Sequence, residues 1–312
     1  MKSKVNGVAR ALLGACALAL VLPLASCGGS STRVETFHAS RVIAFGDESS
    51  VMTATHKKYT VNGLATGSTT EVDCGLNPIW IQFVAAHYGL VFPECAGLAT
   101  DPVSRIRAKN GARVADLEAQ INEQINLYDG FTSNDIVTVL VGANDLVDIY
   151  EANPGASQDQ LVNAAADAGL RLAAQVNRLA KLGPRVLIST IPNMGLTPYA
   201  GDPSGSRAAV LANMSSGNFG FNAALLGNIT NNGYLIGLIQ LDGYLQSVYY
   251  SGAFANVTLP SCTVALPDCT TLTQVPETLL GSWLWADNLH FGAAAQAGLG
   301  SLAISRVQIN PF

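Results

Sequence analysis

The chain has 312 residues, of which 49% are hydrophobic, with 17 basic and 22 acidic side chains. That is enough for one large α/β domain with a sizeable core. No Lys/Arg cluster occurs along the sequence, so nucleic acid is not an expected partner, since a basic patch is its minimum requirement.

The first segment is read as a targeting signal. Lys2, Lys4 and Arg10 form a positive start, and residues 11–24 are an apolar stretch broken only by small residues and Pro23. Such a stretch is too short and too Ala-rich for a membrane-spanning helix and reads as an export signal. Leu24-Ala25-Ser26-Cys27, followed by Gly28-Gly29-Ser30-Ser31, resembles the lipobox of bacterial lipoproteins. That resemblance implies cleavage after Ser26, acylation of Cys27 and a flexible Gly-Ser tether. The lack of an aspartate after Cys27 resembles an outer-membrane address. The expected location is therefore the cell envelope, lipid-anchored, with the outer membrane favoured over the inner. The expected division is a signal at 1–26, a lipidated Cys and tether at 27–40, and one domain at 41–312, as a monomer. Loss of Lys2, Lys4 and Arg10 leaves 14 basic against 22 acidic residues, a net charge near −8.

With Cys16 removed and Cys27 acylated, Cys74, Cys95, Cys262 and Cys269 remain. An even count in an exported chain indicates disulfides. Three connectivities are open, and local pairing (Cys74–Cys95, Cys262–Cys269) is preferred. No C-x-x-C spacing supports a zinc site.

Strand and helix patterns then alternate. A strand is expected at 41–45. Asn77-Pro78 reads as a cap and first helical position before an apolar face of Ile79, Phe83, Val84 and His87. Leu117, Ile121 and Ile125 mark a second helix. The run DIVTVLV at 135–141 reads as a strand buried on both faces. Ser157 and Gln160 form a capping box before a long helix, which Gly183-Pro184 stops. Strands are expected at 185–191 and 234–241, and a small-residue helix at 292–305. Residues 202–233 read as a poorly periodic helix or a cover. The alternation predicts a mainly parallel sheet covered on both sides, with chemistry at the carboxyl ends of its strands.

Four blocks lie at those ends: FGDES at 45–49, NGARVADL at 110–117, GAND at 142–145 and DNLH at 287–290. Taken together, and with STIPNMGLTP at 189–198, they resemble the SGNH, or GDSL-type, hydrolases over most of the mature chain. The resemblance implies a three-layer α/β/α sandwich, flavodoxin-like in outline, and hydrolysis of carboxylic esters without a metal or organic cofactor. It also implies a lipase-like acyl substrate, with deacetylation of a polysaccharide left open. The chemistry needs a nucleophile, a base, a group that orients the base and donors for the oxyanion. His290 is the expected base and Asp287 its orienting acid, three residues away. Gly111 supplies a backbone N–H and Asn144 a side-chain N–H to the oxyanion.

The first block departs from Phe-Gly-Asp-Ser, because Glu48 stands in the nucleophile's place. Three answers are open. The turn holds one extra residue, so that Ser49 becomes the nucleophile and its amide a further oxyanion donor; Ser50 is a poorer choice, deeper in the helix. Alternatively Glu48 acts itself, pairing with His290 and raising its pKa, as nucleophile or as base for water. In the third, Glu48 locks the site and leaves an inactive binding or structural module, or Asp47, Glu48, Asp145 and Asp287 gather a divalent cation. The favoured expectation is the first, a Ser49–His290–Asp287 triad.

Overall fold

In the computed structural model, the described residues are 37–276, 281–310 and 312. The signal segment, the lipobox and Cys27 lie outside the described residues. Short aliphatic runs build one parallel sheet from β1 (Arg41–Gly46), β2 (Arg105–Ile106), β3 (Asp135–Leu140), β4 (Arg185–Ser189) and β5 (Ile236–Ile239), in the order β2-β1-β3-β4-β5. All six residues of β3 are buried, as a central strand covered on both faces requires. At its N-terminal edge Arg41 pairs with the buried Asp135 at 2.7 Å. At its C-terminal edge Gly46 lies opposite Leu140, and the site is built there.

Among the described residues eight helices accompany the sheet: α1 (Trp80–His87), α2 (Leu117–Leu127), α3 (Ala143–Ala152), α4 (Gln158–Lys181), α5 (Ser206–Ser216), α6 (Phe221–Asn228), α7 (Leu241–Tyr250) and α8 (Ala293–Ile309). They fall into two packed groups, α1 with α8, and α2, α3, α5 and α6 around the long α4. Small residues allow the close crossings. A Cβ at Gly300 would come within 2.5 Å of Phe83, and one at Gly169 within 2.2 Å of the Phe221 carbonyl. This is the expected three-layer α/β/α arrangement. Among the described residues no helix is long and apolar enough to cross a membrane.

Local chemistry explains most boundaries. Both bonds of the Ser157–Gln160 capping box form, at 2.9 and 3.3 Å. Asn77 does not cap α1. It adopts φ +50° and its side chain donates to the Val61 carbonyl, so the helix starts later, with Gln82 reaching back to the Ile79 amide. The strand expected at 234–241 is shorter, because Leu241 already opens α7. Residues 202–233 form α5 and α6, whose buried Leu211, Met214, Phe221 and Leu225 pack into the core. A second, two-stranded parallel sheet of β6 (Asn256–Pro260) and β7 (Trp283–Trp285) was not foreseen. Phe37 and Ala39, which the sequence placed in the tether, pack against the core. The Phe37 ring packs edge-on against Tyr88 and Phe312, at 6.0 and 6.1 Å.

Both local disulfides are present, Cys74–Cys95 and Cys262–Cys269. The first closes the longer loop, with a separation of 21 residues. Replacing Cys74 and Cys95 together by serine is expected to cost about 3 kcal/mol of folding stability, read by urea denaturation, because the unfolded chain regains that loop's entropy.

Candidate active site

The turn after β1 leaves no room for an inserted residue. Gly46 adopts φ +123°, and a Cβ there would lie 1.9 Å from the Leu140 carbonyl oxygen. The buried Gln120 amide clamps Gly46 on both sides: the Gly46 N–H donates to Gln120 Oε1 and Gln120 Nε2 donates to the Gly46 carbonyl, each at 2.9 Å. The Asp47 amide still donates to Leu140 at 3.1 Å, continuing the sheet register. Residues Glu48–Ser50 then form a single 3-10 turn capped by Asp47, whose Oδ1 accepts the Ser49 N–H at 3.0 Å.

Glu48 is therefore the residue presented to the histidine. Its Oε1 lies 3.1 Å from His290 Nε2. Its Oε2 accepts the Gly111 N–H at 2.7 Å, and Asn144 Nδ2 reaches both oxygens at 3.1 and 3.2 Å. The expectation for Ser49 is corrected here. No hydrogen bond joins Ser49 to His290, and the Ser49 amide is spent on Asp47 rather than free for an oxyanion. The physical reason is the clamped turn, which cannot take up the extra residue that Ser49 would need. Ser50 is buried, and its Oγ accepts the Trp80 indole N–H at 3.1 Å.

The other expected residues converge as the sequence pattern implies. Asp287 to His290 forms a tight turn in which Asp287 Oδ1 accepts the backbone N–H groups of Leu289 and His290, at 2.8 and 2.7 Å. Both Asp287 oxygens lie 2.9 Å from His290 Nδ1. Asn144, at the start of α3, also donates to the Ala112 carbonyl at 3.1 Å, and Asp145 Oδ2 accepts the Val114 N–H at 2.9 Å. The Arg113 guanidinium pairs with Asp148 and donates to the Gly111 carbonyl. Helix α3 thus holds the Gly111 loop so that its N–H faces Glu48.

The electrostatics follow from one cation between two carboxylates. Burial opposes a charged His290, but its bonds to Asp287 and Glu48, and their charges, raise its pKa to about 10. Burial also opposes ionisation of Glu48 and Asp287. His290 outweighs it in both, helped by the Gly111 amide at Glu48 and the Leu289 and His290 amides at Asp287, so both titrate below their ordinary values. Asp47 goes the other way. Burial, then the repulsion of Glu48, pushes it up to about 7, against the hydrogen bonds it receives from Ser49.

These shifts have opposite signs in stability. The His290 contribution is full below about pH 6.5 and is lost as pH rises toward about 10. The Glu48 and Asp287 contributions are present above the ordinary carboxylate range and lost on acidification. Asp47 costs stability as pH rises from 3.8 to about 7. The expected result in an NMR titration is a His290 ring with both nitrogens protonated at pH 8, deprotonating only near pH 10. A ring that titrates near 6.5 contradicts the array.

The four acids proposed as a cation site do not converge as ligands. The oxygens of Glu48 and Asp287 lie on opposite nitrogens of His290, while Asp47 and Asp145 accept backbone N–H groups. Among the described residues no group of three or more His, Cys, Asp or Glu is arranged to hold a metal. Trp285 serves packing, stacked on Phe291 at 4.9 Å with its indole N–H donated to the Val257 carbonyl. Tyr59 was missed by sequence reasoning. Its ring lies 6.0 Å from that of His290, and no periodic pattern or motif marks it.

The model of a family described as GDSL-like Lipase/Acylhydrolase matches residues 42–301. No curated protein matches the sequence. Among solved structures the chain is similar to a putative GDSL-like lipase from Parabacteroides merdae, at 9% identity and a TM-score of 0.49, covering 88% of this chain and 98% of that one. It is similar to an acetylxylan esterase from Geobacillus stearothermophilus at 13% identity and a TM-score of 0.49, with the same coverage of 88% and 98%. A phospholipase A1 from Streptomyces albidoflavus matches at 19% identity and a TM-score of 0.44, covering 86% and 99%.

Proposed function

The chain belongs to the GDSL-like lipase/acylhydrolase family of carboxylic ester hydrolases, and from that premise we propose that its ester hydrolysis runs through Glu48, His290 and Asp287 rather than through a serine. The observation that carries this reading is the 3.1 Å contact of His290 Nε2 with Glu48 Oε1.

The steps follow from the donors. The carbonyl oxygen of an incoming ester takes the Gly111 N–H and the Asn144 amide from Glu48 Oε2. Glu48, stripped of those donors but still beside His290, becomes more basic. It accepts a proton from a water molecule as that water attacks the acyl carbon. The developing oxyanion is held by Gly111 and Asn144, each donor worth about 3–4 kcal/mol in the transition state. His290, already an imidazolium, gives its Nε2 proton to the departing alkoxide. The proton on Glu48 then returns to His290 across their existing contact. Asp287 orients the ring and balances its charge throughout. Ester and water become acid and alcohol, and every protein group is restored. Direct attack by Glu48 would give an adduct that expels the carboxylate before the poorer alkoxide leaving group, so water is the productive nucleophile.

The export signal and the lipobox ending in Cys27 support a lipid-anchored protein of the bacterial cell envelope. Palmitate incorporation that is lost in Cys27→Ser tests this.

One observation favours a second reading. The Glu48 carboxylate satisfies His290, Gly111 and Asn144 at once, as a bound acid product would. In that reading the site is locked and the protein is a binding module. Initial rates on a chromogenic acetate ester separate the two. The first reading expects wild-type turnover above the buffer rate, with no ¹⁸O from labelled water entering Glu48. A silent wild type beside an active Glu48→Ser variant supports the lock and overturns the first.

A further inference from the structure

Resting on the hydrolase reading above, we infer that the acyl half of the site accepts an acetyl group and rejects longer chains. Beside Glu48, Ser49, Asn144 and His290 lies a cavity of about 20 Å³, whose apolar side is formed by Leu140, Ala143, Pro192, Leu241, Leu289 and Phe291. That volume holds about one water-sized sphere. Asn144, which donates to Glu48, also lines this cavity, so an ester carbonyl held by Asn144 directs the remainder of its acyl group here. A methyl fills it.

The wall is poorly suited to yield. Leu140 ends the central strand β3, Leu241 opens α7 directly after β5, and Pro192 lies three residues beyond β4. Leu140, Leu241 and Phe291 are 4%, 0% and 6% exposed, so none has solvent to move into. Phe291 is fixed from behind by its stacking on Trp285, with an interplanar angle of 19°. Just behind Ala143, Gly142 lies so close to Phe221 that a Cβ there would be 2.4 Å from the ring. Close-packed interiors resist an added methylene. The roomier apolar groove of about 310 Å³, lined by Phe83, Leu90 and Phe92 among others, shares no residue with this wall. It therefore offers no continuation for an acyl chain seated at His290.

The test is a chain-length series of p-nitrophenyl esters, acetate through octanoate, read as kcat/KM. Wild type is expected to lose about 10–200-fold on the first added methylene and more by octanoate. Equal or rising values along the series overturn the inference while leaving ester hydrolysis intact. Glu48→Ser, which places a hydroxyl in the family's ordinary position, is run on the same series. If wild type is silent and Glu48→Ser prefers acetate, the Glu48 mechanism fails and the acyl inference stands. If neither turns over, thermal stabilisation of Glu48→Ser by acetate but not by octanoate supports the small acyl space, and equal stabilisation or none refutes it.

Discussion

Replacing His290 by alanine is expected to slow ester hydrolysis by about 10²–10⁴-fold, the range typical of a positioned general acid or base. In the proposed mechanism His290 is the proton donor to the leaving alkoxide and the acceptor that resets Glu48, so one substitution removes both transfers. It also removes the cation that holds the buried Glu48 carboxyl below its ordinary pKa. The pH–rate profile of His290→Ala should therefore show its acid limb displaced upward, as the remaining carboxylate becomes easier to protonate. Initial rates on a chromogenic acetate ester across pH give both readouts, with circular dichroism to establish that the variant is folded. A His290→Ala enzyme within a few-fold of wild type would remove the imidazole from the mechanism.

The largest expected effect on stability comes from Gly46→Ala. Its φ of +123° disfavours a side chain, and the new Cβ would sit 1.9 Å from a carbonyl oxygen of the central strand, which is backbone and cannot swing away. Backbone strain of this kind costs about 1–3 kcal/mol before any clash is counted. A loss of at least about 3 kcal/mol is expected by urea denaturation. Gly111→Ala is the contrasting control. Its φ is +70°, but nothing lies within 4 Å of the added Cβ, so about 1–2 kcal/mol is expected from the left-handed conformation alone. Equal losses in the two variants would mean that the turn after β1 is less tightly held than the Gln120 clamp implies.

Much of this site was legible in the sequence. Strand ends concentrate short polar blocks after apolar runs, and Gly111, Asn144, Asp287 and His290 do meet around one point. The Ser157–Gln160 box fixed the start of α4 because its signal is local in the chain. Cys74–Cys95 and Cys262–Cys269 followed from proximity along the chain. What was not legible was long-range. Whether Glu48 or Ser49 faces His290 depends on the slack in one turn. That slack is set by Gln120, 74 residues away, and by the Leu140 carbonyl. Asn77 carried a helix-cap signal, but the Val61 carbonyl claimed its side chain. Tyr59 meets His290 through a long-range tie, the neighbouring Thr60 hydroxyl donating to the Phe291 carbonyl. The two-residue β2 and the three-residue β7 are too short to show a period.

The central claim is that a carboxylate, not the neighbouring hydroxyl, works on His290. Hydrolysis of a chromogenic acetate ester by Ser49→Ala and Glu48→Gln, measured side by side with wild type, tests it most directly. The account predicts that Ser49→Ala stays within a few-fold of wild type, while Glu48→Gln, which keeps the shape and loses the base, falls by about 10²–10⁴-fold. A Ser49→Ala enzyme that is dead, together with fluorophosphonate label on Ser49 of the wild type, would contradict it.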